Sequence, residues 1–213
     1  ITKDQEGIYD TLAVYNSKNS DIPIVSLKNG EIKFAVEDTV KDEEGRLIKV
    51  ARNYQLLSLA SDGSSVKMLV TDAIDQNNDT VFHPKTLLKE ITENVGLIPC
   101  RSGLSGSNIE LVEKSFLPAW EYYSQWQADC LRYFMDNQKA EIIFSHLHNV
   151  DACGHNFWHY AKHQEEWNND EERYQKALAE VYAQTDRYIG RFLDAIDDGW
   201  TILLVSDHGL ICS

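Results

Sequence analysis

Apolar positions change their period about halfway along the chain. In the first hundred residues they come in short runs separated by turn residues. Residues 22–27 and 31–36 flank Lys28-Asn29-Gly30, and an Asn-Gly between two apolar runs predicts a hairpin. Residues 47–51 form a further candidate strand. Residues 54–60 and 65–71 flank a second turn signal, Ser61-Asp62-Gly63-Ser64. This pattern predicts a small antiparallel sheet. Residues 84–94 read as a short helix, with Pro84 in its first turn and Gly96 ending it.

In the second half the period lengthens. Trp120, Tyr123, Trp126, Cys130, Leu131 and Phe134 recur at spacings that mark one face of a helix over residues 117–137. Residues 141–145 (Glu-Ile-Ile-Phe-Ser) then read as a buried strand. A long helix is predicted over 171–196, with Leu178, Val181, Thr185, Tyr188, Ile189, Phe192 and Ile196 along one face. Asp197-Asp198-Gly199 breaks it, and residues 200–205 form another apolar strand. Aromatic stripes of this kind are core rather than a cofactor box. Helix, strand, helix, strand is the order of a parallel α/β sheet. The fold expected is therefore α/β: part of a parallel sheet flanked by helices, preceded by a small β-rich cap or insert. The expected domains are 1–110 and 111–213, the second a partial α/β core. The small-residue stretch 100–107 reads as a surface loop near the boundary, because it lacks the Lys of a phosphate loop. The acidic run over 164–172 reads as a solvated helix start.

Composition narrows the function. The chain has 213 residues, 43% of them hydrophobic, and a formal net charge of -14. That size and content suffice for a core. The acidic balance argues against general binding to nucleic-acid duplexes, which depends on Lys and Arg to release counterions. A small anionic substrate remains open, since local ions rather than global charge can hold it. No apolar run approaches the length of a membrane span. Cys100, Cys130, Cys153 and Cys212 form no C-x-x-C pair and read as free thiols, which favours a reducing, cytoplasmic setting.

The candidate chemistry lies just after the two apolar runs of the second half. The first cluster is His146-Leu147-His148-Asn149-Val150-Asp151-Ala152-Cys153-Gly154-His155. The second is Ser206-Asp207-His208-Gly209. Asp151 and His155 stand four apart, which places them on one face of a helical turn. Carboxylate and imidazole together suit zinc or manganese. Ligands in such sheets bind beyond the carboxyl ends of strands, where both clusters fall. Two metals in one crevice are a plan for hydrolysing phosphate esters. The alternative for 207–209 is a structural strand end, with a hydrogen-bonded Asp and a turn Gly. His146 and His148 are read as satisfied strand-end histidines, or else as partners of the ligands. Cys153 is read as a bystander, and His83, His159 and His163 as surface residues.

The order apolar strand, Asp151-x-x-x-His155, Phe157-Trp158, long helix, apolar strand, Ser206-Asp207-His208-Gly209 resembles the alkaline phosphatase superfamily. It is most similar to the type I phosphodiesterase/nucleotide pyrophosphatase branch, over residues 117–210. The resemblance implies that Asp151 and His155 ligate one metal and Asp207 and His208 a second. The metals would be two divalent ions, zinc or in some relatives manganese. It also implies a small phosphate-ester substrate, a nucleotide or other phosphodiester, attacked in line by a Thr or Ser nucleophile. Members carry that nucleophile and a further Asp ligand on an N-terminal strand, and a last His ligand downstream. No such segment is found here. Thr71-Asp72 follows a strand without a helix behind it. The chain therefore reads as an internal fragment, inactive or nearly so alone and weak in metal binding. A sulfatase or metal-dependent phosphomutase of the same superfamily is an alternative, although no C-x-P-S-R motif is present. A non-catalytic metal-binding or interaction domain is another.

Overall fold

A computed structural model describes residues 1–101, 106–138, 140–161 and 170–209. The chain divides into two compact units, residues 1–103 and 104–213. The whole is a mixed α/β chain whose described sheets are antiparallel.

The first unit holds two sheets. Strands β1 (Thr2–Lys3), β2 (Tyr9–Val14) and β3 (Val25–Lys28) form one. Strands β4 (Ile32–Lys41), β5 (Leu47–Leu59) and β6 (Val66–Val70) form the other, with β7 (Ile74–Asp75) also paired to β5. Val25, Leu27, Tyr54, Leu56 and Leu59 make a core shared by β3 and β5. Helix α1 (Thr86–Asn94) follows, as the 84–94 pattern predicts. The turn at 61–64 joins β5 to β6 as a hairpin, with Gly63 at φ +76°.

The Asn29-Gly30 hairpin is a correction. The turn exists, with Gly30 at φ +81° and the Glu31 N–H donating to the Lys28 carbonyl at 2.9 Å. Yet β3 pairs with β2 and β4 with β5. The turn hands the chain from one sheet to the other. Its backbone is taken by β5: Gly30 N–H donates to the Leu56 carbonyl and Leu56 N–H to the Glu31 carbonyl. The two candidate strands 47–51 and 54–60 are one strand, because Asn53 in their polar gap is buried and bonded. Its side chain accepts from Ala35 N–H at 3.0 Å and donates to the Cys100 carbonyl at 3.1 Å. Ala35, at φ +46° beside a register shift between Lys33 and Val36, is where β4 bulges.

The second unit is helical among the described residues. Helix α2 (Ile109–Leu111) runs through a π-helical stretch, Val112–Phe116, into α3 (Leu117–Asn137). Then come α4 (Asn149–Ala161), α5 (Glu171–Gly190) and a 3-10 turn at Leu193–Ile196. Phe116, Trp120, Cys153, Phe157, Tyr174 and Val181 lie in one core that joins these helices. The buried stripe of α3 is Leu117, Trp120, Ser124 and Ala128. Tyr123, Trp126 and Phe134 are only half-buried, since small residues carry the close approach and give little hydrophobic signal. Gly106 is such an approach: a Cβ there would stand 2.3 Å from the Asn156 carbonyl oxygen on α4. Its own carbonyl accepts from the Tyr174 hydroxyl at 2.6 Å. Across α3 and α5, ion pairs join Glu121 to Arg187 and Asp129 to Arg191.

The expected parallel strands 141–145 and 200–205 do not pair among the described residues. Ile142, Phe144, Leu203 and Val205 are 82–86% exposed. A strand exists only where a neighbour takes its N–H and C=O groups, and among the described residues no such neighbour stands beside these runs. Ser145 is tied instead to α5, its hydroxyl 2.8 Å from that of Tyr188. Residues 102–105 of the small-residue stretch, His163, residues 164–169 of the acidic run and Cys212 lie outside the described residues.

Candidate active site

The two clusters lie together in the second unit. Asp151 is in the first turn of α4 and His155 one turn later. Their placement rests on a pinned helix start. The Ala152 N–H donates to the His148 carbonyl at 2.9 Å. Next along, Asn149 is fully buried and donates to the Ser124 hydroxyl at 2.6 Å, which donates to the Trp120 carbonyl at 2.8 Å. The first turn of α4 is thereby fixed to α3. Phe157, in edge contact with Phe116 at 5.2 Å between ring centroids, anchors the helix's other end.

Asp151 is the hub. His155 Nε2 lies 3.1 Å from its Oδ1, and His148 Nε2 lies 2.5 Å from its Oδ2. From the second cluster, His208 Nε2 stands 3.6 Å from the same Oδ1 and 3.8 Å from Asp207 Oδ1. All four site residues predicted from sequence are therefore in one neighbourhood, with His208 between the two carboxylates. His208 Nδ1 is 3.1 Å from the Gly209 carbonyl. A carbonyl only accepts, so Nδ1 carries the hydrogen and Nε2 is the atom turned to the carboxylates. The Gly209 carbonyl, then Asp207 and Asp151, raise the His208 pKa above the usual imidazole value. Imidazole lone pairs and carboxylate oxygens repel, so this convergence calls for protons or a cation among them.

His148 stands three residues before Asp151 at the helix start, a spacing that brings side chains together. His146 stands beside it, with ring centroids 4.9 Å apart. Cys153 points into the core and is fully buried, and burial pushes its thiol pKa up to about 12. The Thr71 hydroxyl is occupied in the first unit, accepting from Asn53 N–H and donating to the Asp72 carbonyl.

Two carboxylates with neighbouring imidazoles are the donor types that zinc or manganese take. They meet in pairs: among the described residues no three His, Cys, Asp or Glu side chains are arranged to close on one ion. The family model for type I phosphodiesterase/nucleotide pyrophosphatase matches residues 50–211, and the chain belongs to that family. It is thus of the phosphodiesterase and pyrophosphatase type, whose substrates are phosphodiesters and nucleotides. Comparison with curated proteins and with solved structures returned no match. Among the described residues no helix is long and apolar enough to cross a membrane.

Proposed function

We propose that this chain carries the metal-holding part of a two-metal phosphodiesterase or nucleotide pyrophosphatase that acts by in-line displacement. The observation that carries this reading is His208, within 4 Å of both Asp151 and Asp207. Asp151 and His155 would hold one ion and Asp207 and His208 the other. Ions there would supply positive charge to the attacking and leaving oxygens of a phosphoester. The residues themselves fix spacing: α4 sets Asp151 against His155, and the Gly209 carbonyl sets the His208 tautomer. The reacting Thr or Ser is not assigned to any residue of this chain. The substrate would be a small phosphate ester held by local charge, since the net charge of -14 disfavours long polyanions.

On this reading, residues 141–145 and 200–205 are strands of a parallel sheet covered by further chain. Their exposed Ile142, Phe144, Leu203 and Val205 support it, because contiguous apolar surface is normally buried in a working protein. The division into a β-rich cap and a partial α/β core follows the same logic. Free, buried Cys100, Cys130 and Cys153 support a reducing compartment. The pairwise character of the ligand set favours one second reading, a relative that binds a phosphate ester without turning it over.

The test is hydrolysis of a chromogenic phosphodiester and the matching monoester by the intact parent protein, with zinc or manganese. Metal-dependent turnover that prefers the diester and is lost in Asp207→Asn is expected. Metal binding without turnover of either ester would favour the second reading.

A further inference from the structure

We propose that β6 is a self-pairing edge: two copies of this chain join through antiparallel β6 strands, with Met68 opposite Met68 across a two-fold axis. The pairing lies in the first unit and is independent of the metal-site reading. β6 ends the four-stranded sheet, and among the described residues no strand pairs with its outer side. Two flanking bonds fix which backbone groups face outward. The Ser65 carbonyl accepts from Ala60 N–H, and Thr71 N–H donates to the Asn53 carbonyl, both toward β5. Backbone groups alternate sides along a strand. Lys67 and Leu69 therefore bond inward, and Val66, Met68 and Val70 turn their N–H and C=O outward. The same three residues carry exposed apolar side chains, at 37–45%. Their partners across the ladder, Leu59, Leu56 and Tyr54, share that face of the sheet and are buried with Val25 and Leu27. The core face thus runs on across β6 with no cover among the described residues.

A free edge beside an uncovered apolar stripe is a place for another strand. The residues of β6 suit its own copy. A two-fold axis perpendicular to the sheet keeps every side chain on its face, so the pairing must be centred on a residue. Centring on Lys67, the strand's one charge, opposes two like charges, which is destabilising. Centring on Leu69 sets Asp72 against Val66 and breaks the stripe. Centring on Met68 sets Val66 against Val70 and Lys67 against Leu69. The charges then stand apart and the apolar residues align. The outward N–H and C=O groups of Val66, Met68 and Val70 meet as hydrogen-bonded pairs. An edge of five residues buries less than the roughly 1,200 Å² of a standard interface, so the association depends on concentration.

The test is sedimentation velocity on the chain from micromolar to millimolar concentration, with melting followed by circular dichroism. Wild type should shift from monomer to dimer as concentration rises. Met68→Lys sets two charges at the axis and should stay monomeric with unchanged melting. Leu203→Lys, in the exposed run of the second unit, should still dimerise. Met68→Cys reads the register. Residues of a hydrogen-bonded pair stand about 5.5 Å apart at Cα, within disulfide reach. Mild oxidation should therefore link that variant into dimers well beyond the wild-type background, and should not link Lys67→Cys. A chain that is monomeric throughout overturns the proposal. So does a dimer that survives Met68→Lys or is lost in Leu203→Lys, which would assign the contact to the run 200–205 instead. Where Met68→Lys lowers the melting point, the cross-link decides: no link in Met68→Cys, or an equal one in Lys67→Cys, overturns the pairing as well.

Discussion

Strand β5 and the apolar run 200–205 are made of similar residues and meet opposite ends. β5 has neighbours in β4, β6 and β7, and Val50, Ala51 and Leu56 are buried. The run 200–205 has no strand neighbour among the described residues, and its Leu203 and Val205 face outward. The apolar pattern states a demand for burial. Whether the demand is met depends on a partner that the local sequence does not name. The candidate site follows from the same contrast. In the first unit a buried carboxylate, Asp38, is satisfied by the Tyr54 hydroxyl at 2.8 Å and faces Arg52 at 3.3 Å. In the second, Asp151 meets three imidazoles, which carry charge only when protonated.

The contrast can be broken at several points. The largest effect is expected from Phe157→Ala, which empties a fully buried ring site in the second unit. It should cost about 3–5 kcal/mol and remove the second unit's denaturation transition while β-sheet signal from the first persists. Loss of both signals together would show that the units are not separate in stability.

Alkaline pH gives the next. Burial raises the Cys153 thiol to about 12, so the folded state prefers the neutral thiol. Its contribution to stability is complete below the unfolded pKa near 9 and is lost as pH climbs toward 12. This thiol's share of the fall should be up to about 1.4 kcal/mol per pH unit in that window, and Cys153→Ala should make the slope shallower while Cys130, also raised to about 12 by burial, keeps part of it. An unchanged slope would mean that the thiol is accessible. Smaller again is Tyr54→Phe, which takes from Asp38 its hydroxyl donor. It should destabilise the first unit by about 1.5–3 kcal/mol at most, tempered by Arg52, with zinc affinity unchanged. The smallest effect belongs to Leu203→Lys. At 82% exposed it should shift stability in this chain by less than about 0.5 kcal/mol. A loss of several times that would mean the run is covered in solution.

How much of this was legible follows the same division between local and distant. The helix over 117–137 matches α3, because the aromatic spacing is a local signal. Asn29-Gly30 correctly marked a turn but said nothing of which strands would pair. Residues 47–51 and 54–60 read as two strands because the polar pair between them includes Asn53, whose bonds come from Ala35 and Cys100. In the site, Asp151 and His155 were visible from their spacing alone. His148 reads from sequence as a strand-end histidine or a partner of the ligands, and its backbone belongs to the start of α4. The order of elements predicts the two clusters in one crevice, but the approach of His208 to Asp151 itself is a tertiary fact that no spacing encodes.

The most direct test of the central claim, that the two clusters form one site, is a double-mutant cycle on zinc affinity with Asp151→Ala and His208→Ala. One site predicts strong coupling: the double variant should lose much less affinity than the product of the two single losses. Losses that simply multiply would show two independent clusters and contradict the account.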